Sequence, residues 1–330
     1  MKKVLITPKS FMHYKSKPYE MLREAGYEPV ENRTGRTMTE EEIIAAASEG
    51  VSGIIVGVDP LPARVLDQLK DVRAISKYGM GVDNIDVKRA EELGIKVSVA
   101  HGTNNISVAE LAIALLLAAV RHIPKSVGQV KSGQWVRTLG WEITGKRIGV
   151  IGGGQIGREV AIRAQGLKMK VTVYDPFLTD DPFFSQHGIA LTSDLDALLA
   201  GSDVITLHIP ANPATRGLIN KHTLARMKQG AILINTARGE LVNEDDLYEA
   251  LVSGQLACAA QDVFSSEPPP HDHRLLKLDN FILTAHTGAY THEAIERMAM
   301  ISTMNLLHML DENDGQDESN RNEETKEGVG

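Results

Sequence analysis

Three short polar stretches in the second half of the chain carry side chains that could do acid–base chemistry. They span residues 235–239, 262–268 and 284–289 and contain Arg238, Glu267 and His286, respectively. Each stretch follows a β-rich run, so each is predicted to lie at the carboxyl end of a strand, where open α/β sheets gather their ligands. Taken singly, Arg238 could be a surface cation, Glu267 a loop carboxylate and His286 a strand-end histidine.

Together, these three side chains fit hydride transfer between a nicotinamide and a 2-keto acid. Reduction of the carbonyl group needs a proton donor and a fixed cation for the carboxylate and the developing oxyanion. His286 suits the first task, and Arg238 suits the second because a guanidinium can hold a carboxylate by two parallel hydrogen bonds. A carboxylate beside the imidazole raises its pKa and fixes its tautomer, which is the role we predict for Glu267.

A glycine-rich turn between a predicted strand and a predicted helix is typical of a dinucleotide-binding site. Gly152, Gly154 and Gly157 have the spacing of the fingerprint, which combines a tight turn, access to a pyrophosphate and close helix packing. The helix N-terminus offers free N–H groups to the anion. Asp175 ends the next strand, where a carboxylate can accept hydrogen bonds from the adenosine ribose and repels a 2′-phosphate. The pattern favours NAD over NADP; the alternative is a structural turn without a ligand.

The elements that must position these residues alternate between strands and helices in two series, which predicts an α/β protein with two doubly wound parallel sheets. Strands of the first series are expected at residues 3–7, 53–56, 72–77 and 95–99. Those of the second are expected at 147–151, 171–174, 204–207, 231–235, 257–263 and 281–285. A helix at 106–121 separates the series. A helix at 291–310 is expected to return to the first, with an apolar face at Met298, Ile301, Met304, Leu307 and Leu310.

Composition excludes several classes of protein. A chain of 330 residues with 42% hydrophobic and 24% charged side chains is typical of a globular protein of two domains. Its net charge is −8, and residues 311–330 hold eight acidic and two basic side chains. The rest is close to neutral and lacks the basic face that binds nucleic acid, so no nucleic-acid partner is expected. The acidic segment 311–330 is predicted to be a disordered tail.

Cysteine usage and hydropathy bear on the compartment. Cys258 is the one cysteine, so neither an internal disulfide nor a thiolate metal site is expected, and a reducing, cytoplasmic location is favoured. No metal is expected in the site. The most apolar run, residues 111–120, is about half the length that crosses a bilayer, so we interpret it as a buried helix and expect no membrane partner.

The ordered set NTARG, DVFSSEP and AHTG after the glycine turn resembles the D-2-hydroxyacid dehydrogenases of the D-3-phosphoglycerate dehydrogenase-like group. The resemblance covers about residues 2–310 and implies the roles given above for Arg238, Glu267 and His286. It implies a discontinuous, flavodoxin-like substrate-binding domain (1–100 plus 291–310), a Rossmann NAD-binding domain (101–290), a cleft between them and a homodimer. Formate dehydrogenases of the family carry glutamine where Glu267 stands, so formate is disfavoured.

The same resemblance implies which residues line the cofactor. Beyond the three glycines and Asp175, they are Gln155, Ile156, His208, Pro210, Thr236, Ala237 and Asp262, the last near the nicotinamide amide. Gln155 departs from the arginine that is common at its position, which weakens one expected contact with the pyrophosphate.

A second half of the site is implied by the sequence KYGMGVDN at residues 77–84, which matches the substrate loop of the family. Its substrate-binding residues would be Lys77, Tyr78, Gly79, Met80 and Gly81. Glycines at positions 79 and 81 can turn successive amides inward to hold a carboxylate; the alternative is a plain strand-to-helix turn. Lys77 stands where phosphoglycerate enzymes often have arginine, and it could meet a phosphate or only solvent. Lys9 and Ser10 are weaker candidates for the same task.

The start of the helix at 106–121 matches the interdomain helix of the family. Ser107 and Glu110 have the spacing of a capping box. The helix body is apolar nearly all round and must be covered on every side, for which a dimer interface is one candidate.

These observations predict an NAD-dependent oxidoreductase that interconverts a small D-2-hydroxy acid and its 2-keto acid. The nearest candidates for the hydroxy acid or its keto form are 3-phosphoglycerate, hydroxypyruvate and glyoxylate. The alternative is a corepressor-like scaffold that senses NADH and turns over slowly, because such proteins in the family keep the same three residues. Steady-state oxidation of NADH with a panel of 2-keto acids separates the two.

Overall fold

Two parallel β-sheets organise the chain, each within its own compact unit. Unit 1 comprises Met1–Asn104 and Tyr290–Gly330, and unit 2 comprises Asn105–Ala289. The structure is a computed structural model that describes residues 2–48 and 50–327, with side chains described as far as Glu312. All strand pairs in both sheets are parallel, which confirms the predicted α/β class with two doubly wound sheets.

The sheet of unit 1 has five strands in the order β2-β1-β3-β4-β5, the order found in flavodoxin-like folds. The strands are β1 Lys2–Ile6, β2 Tyr27–Glu31, β3 Val51–Val56, β4 Ala74–Lys77 and β5 Lys96–Val99. The helices are α1 Ser16–Glu24, α2 Glu40–Ala46, α3 Ala63–Leu66 and α4 Val87–Glu92, with a 3₁₀ helix at Lys9–Tyr14. Every residue of β3 is buried, as expected for a central parallel strand covered on both faces.

Unit 2 contains the longer sheet, with seven strands in the order β12-β11-β10-β9-β6-β7-β8. The strands are β6 Arg147–Ile151, β7 Lys170–Tyr174, β8 Ala190–Thr192, β9 Val204–Leu207, β10 Ala231–Asn235, β11 Leu256–Gln261 and β12 Phe281–Leu283. The helices are α5 Asn105–Val120, α6 Ile123–Lys131, α7 Gln155–Gly166, α8 Pro182–Gln186, α9 Leu195–Gly201, α10 Lys221–Arg226 and α11 Glu244–Val252, with 3₁₀ helices at Gly239–Leu241 and Arg274–Lys277. This order is that of a Rossmann domain, with β12 added at one edge.

Two edge strands were absent from the sequence prediction. β2 has one buried residue and contains Pro29, which an edge strand tolerates because it needs hydrogen bonds on one side only. β8 is three residues long and has no fully buried side chain. Neither segment shows the apolar run that marks the central strands, so hydrophobic patterning could not reveal them.

Helix α5 is buried by its own unit over much of its length, where it packs on α7 and on strands β10 and β11. Its start is not a capping box, because the helix already begins at Asn105. The Ser107 hydroxyl instead donates to the carbonyl of Gly288 at 2.6 Å, and Glu110 pairs with Arg163. Within the described residues, no lone helix has the length and hydropathy of a membrane span, and only α5 and α6 counted together, across a bend of 63°, would satisfy that test.

The last helix, α12 His292–Glu327, packs on β3, β4 and β5 of unit 1. The predicted apolar face is wrong in its spacing, because a strict three-residue repeat drifts around a helix of 3.6 residues per turn. Met304 is exposed, whereas Leu306 is buried against Gly53. The buried face is Ile295, Met298, Ala299, Ser302, Thr303, Leu306, Met309 and Leu310. Beyond Glu312 the predicted tail lies outside the described side chains, and its disorder stays a prediction.

Candidate active site

The carboxyl ends of β10, β11 and β12 carry the three side chains that the sequence singled out. These strands are neighbours in the sheet of unit 2, and all three are parallel, so their following loops lie along one edge. Arg238 follows β10, Glu267 follows β11 and His286 follows β12. The sheet therefore brings together residues that are separated by up to about fifty positions in the chain.

The contact between His286 and Glu267 is direct. Nδ1 of the imidazole lies 2.7 Å from Oε2 of the carboxylate, and 48% of the His286 side chain is exposed. The hydrogen bond to Glu267 raises the pKa of His286 above its ordinary value; burial opposes this rise, while the charges of Glu267 and Asp262 add to it. Because Nδ1 is engaged, Nε2 is the ring nitrogen that can hand a proton to a ligand.

Glu267 is held in its ionised form. Burial of the carboxyl group works against ionisation, but the hydrogen bonds from His286 and from the Phe264 N–H, together with the charge of Arg238, keep the pKa of Glu267 below its ordinary value. The Phe264 N–H donates to Oε1 at 2.9 Å. One carboxylate oxygen is thus anchored to the backbone and the other to the imidazole, which fixes the orientation of the ring.

The loop that carries His286 is fastened by Asp262. This carboxylate is 1% exposed and accepts hydrogen bonds from the N–H of Thr287 at 2.9 Å and the N–H of Gly288 at 2.7 Å, and also from the Thr284 and Thr287 hydroxyls. His286 takes a left-handed φ of +52°, which a non-glycine residue adopts only where its surroundings require it. The Asp262 oxygens are engaged by the protein, and the predicted contact with a nicotinamide amide stays a prediction.

Arg238 sits at the start of the 3₁₀ helix after β10, in a loop shaped by a buried asparagine. The Asn235 side chain donates to the Arg238 carbonyl at 2.8 Å and accepts from the Ala237 N–H at 3.0 Å. The next residue, Gly239, packs against the loop after β11: an added Cβ would lie 2.0 Å from the carbonyl carbon of Phe264. Glycine at position 239 therefore lets the arginine loop lie against the loop that leads to Glu267.

The glycine turn at the end of β6 has the geometry that the fingerprint predicts. Gly152 has a φ of +105°, and an added Cβ would lie 2.4 Å from the carbonyl oxygen of His208. An added Cβ on Gly157 would lie 1.9 Å from the Gly152 carbonyl oxygen, so α7 can approach the turn only with glycine there. Around Gly154, the N-cap of α7, the same construction meets no atom within 4 Å. The turn thus leaves open space at the helix N-terminus, where a pyrophosphate would bind.

Asp175 follows β7 and supports the turn from the side. Its Oδ2 accepts from the Gly153 N–H at 2.9 Å, and its Oδ1 accepts from the Phe177 N–H at 3.0 Å. A carboxylate oriented in this way can also accept from ribose hydroxyls through its remaining lone pairs. The predicted placement of Asp175 beside the glycine turn therefore agrees with the structure.

Two of the predicted cofactor residues carry buried polar atoms that have no partner in the protein. They are Nδ1 of His208 and Oγ1 of Thr236. Burial lowers the pKa of His208 to about 3, so this imidazole is neutral, and its Nε2 lies 2.8 Å from the Thr206 hydroxyl. Buried polar atoms normally have a hydrogen-bond partner. A polar ligand such as a dinucleotide at this edge would satisfy them, so the residues present fit the cofactor.

The remaining predicted cofactor residues lie on the same edge of the sheet. Gln155 opens α7, and its side chain accepts from the Asn105 amide at 2.6 Å, whereas Ile156 packs on the core. Pro210 is exposed after β9, and Ala237 is half-buried beside Arg238. The described residues contain no group of three or more His, Cys, Asp or Glu side chains that could hold a metal ion.

The predicted substrate loop belongs to unit 1 and follows β4. The Tyr78 N–H donates to the Val56 carbonyl at 2.9 Å and the Gly79 N–H donates to the Lys77 carbonyl at 3.0 Å, so an anion on this loop would use the amides of Met80 and Gly81. Of the two loop glycines, Gly79 has a left-handed φ, +126°, and Gly81 does not. The loop is therefore a partial version of the predicted nest.

Two side chains of that loop are internal. The Tyr78 hydroxyl donates to the Ile295 carbonyl at 3.2 Å, and burial raises the pKa of Tyr78 to about 12. Lys77 is 6% exposed, and its ammonium group donates to the Gly57 carbonyl and to Oδ1 of Asn84. The sequence suggested that the Lys77 ammonium group meets a phosphate or solvent; in the structure it contacts Gly57 and Asn84 instead. Ser10 is also buried, whereas Lys9 is exposed.

Sequence reasoning assigned no role to two residues that shape the site. Asn235, which holds the arginine loop, stands in the NTARG stretch, so that motif was a usable signal. Arg158 donates to the Gly153 carbonyl at 3.1 Å, pairs with Asp181 and lies over the Phe183 ring. Asp181 is 23 positions away from Arg158 in the chain, so no local sequence pattern predicts this ion pair.

Comparison with known proteins places this geometry in a family. Residues 113–288 match the family model described as "D-isomer specific 2-hydroxyacid dehydrogenase, NAD binding domain". The chain belongs to the D-isomer specific 2-hydroxyacid dehydrogenase family. Its unit 2 contains the NAD-binding domain, which confirms both the resemblance found in the sequence and NAD as the cofactor.

Individual relatives span a range of sizes. A D-3-phosphoglycerate dehydrogenase of Archaeoglobus fulgidus is 44% identical over 88% of this chain and 54% of that protein. A hydroxypyruvate reductase of Thermotoga maritima is 40% identical over 81% of this chain and 87% of the relative. The crystal structure of the TT0316 protein from Thermus thermophilus has a TM-score of 0.84 and 35% identity over 94% of this chain and 97% of that one. The chain thus spans about half the length of the curated phosphoglycerate dehydrogenases that it matches.

The contact between α7 and the glycine turn yields a test of the NAD site. Gly157→Ala would force the helix away from the Gly152 carbonyl, so we expect NADH binding to weaken by about 10-fold or more and stability to fall by about 1–3 kcal/mol. Gly166→Ala at the end of the same helix meets nothing within 4 Å and should leave NADH affinity unchanged. Titration of NADH fluorescence and thermal unfolding give the two readouts; equal affinities for the two variants would contradict the assigned packing role.

Proposed function

We propose that this protein is an NAD-dependent oxidoreductase that interconverts a small D-2-hydroxy acid and its 2-keto acid. The observation that carries the proposal is the 2.7 Å contact between His286 and Glu267, formed at the same sheet edge as Arg238 and the glycine turn. This arrangement offers an imidazole with a raised pKa, a cation and a dinucleotide site at one sheet edge. The enzyme names of the relatives support it, and they favour it over the corepressor-like alternative.

The roles of the three residues follow from their charges. Bound NADH supplies the hydride. His286, with its raised pKa, donates a proton from Nε2 to the carbonyl oxygen during reduction and takes it back during oxidation. Glu267 stays ionised and stabilises the imidazolium through Nδ1. Arg238 holds the substrate carboxylate and stabilises negative charge on the carbonyl oxygen.

We also propose that two copies of the chain associate through the region from α6 to residue 141. This region exposes large apolar side chains, and Leu139 is 92% exposed. The other exposed apolar side chains of this region are Ile123, Val127, Val130, Trp135, Val136 and Trp141. A group of exposed apolar side chains is typical of an interaction site. Light scattering should show that the wild type is a dimer and that Leu139→Asp shifts it toward the monomer. A monomeric wild type would contradict the proposed association.

We also propose a cytoplasmic location, because the single cysteine is free and buried.

Replacement of His286 tests the proposed activity. With NADH and a panel of 2-keto acids, His286→Ala should lower kcat by about 10²–10⁴-fold because the proton donor is lost. NADH binding should persist, since the glycine turn is untouched. His271→Ala, an exposed histidine of the same unit, is the matched control and should keep full activity. Full turnover in His286→Ala would refute the assignment of the donor, and a wild type that binds NADH without turnover would favour the scaffold.

Glu267→Gln tests the electrostatic coupling. The carboxylate raises the pKa of His286, so its removal lets burial lower that pKa toward or below the ordinary value of about 6.5. Reduction needs the protonated ring, and its rate falls as pH rises through this pKa. We therefore expect the falling limb of the pH profile to move to lower pH, with kcat reduced by about 10-fold or more at neutral pH.

The oxidation direction provides a second readout for the same variant, because oxidation needs the neutral imidazole. The rate of oxidation rises as pH rises through the pKa of His286, and this rising limb of the pH profile should also move to lower pH in Glu267→Gln. Glu249→Gln, an exposed carboxylate of unit 2, is the control and should shift neither limb. Unchanged limbs in Glu267→Gln would show that Glu267 does not set the protonation of His286.

A further inference from the structure

We propose that the carboxyl edge of the unit 1 sheet selects 2-keto acids with an uncharged, apolar side chain and discriminates against phosphorylated ones. The inference rests on the proposed function and narrows its substrate. It starts from the lysine that the sequence offered as a phosphate ligand. In the structure, a polar network inside unit 1 engages that lysine, and the apolar side chains of Val58 and Met80 are exposed in the loops after β3 and β4.

The ammonium group of Lys77 ties two loops together. It donates to the Gly57 carbonyl, in the loop after β3, and at 2.6 Å to Oδ1 of Asn84, in the segment after β4. The Asn84 amide group donates back across the gap, to the Gly57 carbonyl at 3.1 Å and to the Asp59 carbonyl at 2.5 Å. Lysine at position 77 thus shapes the backbone of both loops, and with 6% exposure it presents little surface to a ligand.

A buried carboxylate belongs to the same hydrogen-bonded network as this lysine. Asp59 is 2% exposed; it accepts from the Thr7 hydroxyl and, at 2.7 Å, from the Met38 N–H. The Thr7 hydroxyl in turn accepts from the Gly57 N–H at 3.0 Å. One cation and one anion therefore sit in one hydrogen-bonded cluster. Withdrawal of Lys77 toward a phosphate would break its bonds to Gly57 and Asn84; the Gly57 carbonyl would keep the Asn84 amide as a donor, but Oδ1 of Asn84 would lose the ammonium group.

Val58 and Met80 are exposed apolar side chains of the two loops, and Asp83, beyond Met80, is an exposed acidic one. β3 and β4 are adjacent, with Val56 paired to Lys77, so the residues that follow each strand leave the sheet side by side. Val58 is 69% exposed after β3, and Met80 is exposed after β4. Met80 also carries one of the amides that could hold the substrate carboxylate. The substituent of a substrate bound there would therefore lie near valine and methionine.

The energetic consequence differs between substrate classes. A phosphate loses hydration on binding and needs charged hydrogen bonds in return, whereas an alkyl group gains from contact with Val58 and Met80. We expect kcat/KM for 2-ketobutyrate to exceed that for 3-phosphohydroxypyruvate by on the order of 100-fold or more. Hydroxypyruvate, which has a hydroxyl group and no charge on its side chain, should fall between the two.

Steady-state NADH oxidation by the full chain with these three compounds tests the proposal. Val58→Arg adds a guanidinium to the exposed loop after β3 and should raise relative kcat/KM for 3-phosphohydroxypyruvate by about 10-fold or more. Lys77→Met should lower kcat/KM for all three compounds by a similar factor and lower Tm, because its role is to shape the loops. Lys70→Met, at an exposed lysine of the same unit, controls for the loss of a charge.

The outcomes separate this inference from the proposed function. Preference of the wild type for 3-phosphohydroxypyruvate would overturn the inference and leave the proposed function in place. A Lys77→Met or Lys9→Ala variant that loses activity on the phosphorylated compound alone would also overturn the inference, because it would reveal a phosphate-binding lysine. Tight NADH binding without turnover on any 2-keto acid would remove the proposed function and the inference with it.

Discussion

The proposed chemistry of this chain depends on one hydrogen bond, between the Glu267 carboxylate and Nδ1 of His286. It raises the pKa of His286 against the effect of burial, and it leaves Nε2 as the nitrogen for the proposed proton exchange. The bond is useful only if both partners are held in place. The Phe264 N–H fixes the carboxylate, and the Asp262 carboxylate fixes the loop in which His286 takes its left-handed φ.

The same principle organises the rest of the site: backbone geometry at strand ends is set by small or buried residues, and the reactive side chains follow from it. Gly239 lets the arginine loop lie against the neighbouring loop, and Gly157 lets α7 approach the glycine turn. In unit 1, Lys77 plays the corresponding part with a side chain, since its ammonium group ties the loops after β3 and β4. A charged side chain after β4 thus shapes the backbone of two loops.

The sequence predicted both sheets, all central strands and the pairing of His286 with Glu267, because strong apolar runs and strand-end motifs mark them. It missed β2 and β8, whose edge positions need little apolar patterning. The predicted apolar face of α12 is wrong because it used a repeat of three residues. The predicted capping role of Ser107 is wrong as well, because the Ser107 hydroxyl donates to the carbonyl of Gly288. The burial of Lys77 depends on Asn84 and Gly57 meeting in space, which local sequence does not show. The roles of most cofactor and substrate residues remain predictions.

NMR titration of the His286 ring nitrogens in the intact protein tests most directly whether Glu267 raises the pKa of His286. We expect His286 to titrate above the ordinary value of about 6.5, with the proton on Nδ1 retained beside the carboxylate. His208 in the same spectra should stay neutral down to a pH of about 3. A His286 that titrates at or below the ordinary value would contradict the coupling to Glu267, and the assignment of the proton donor would lose its basis.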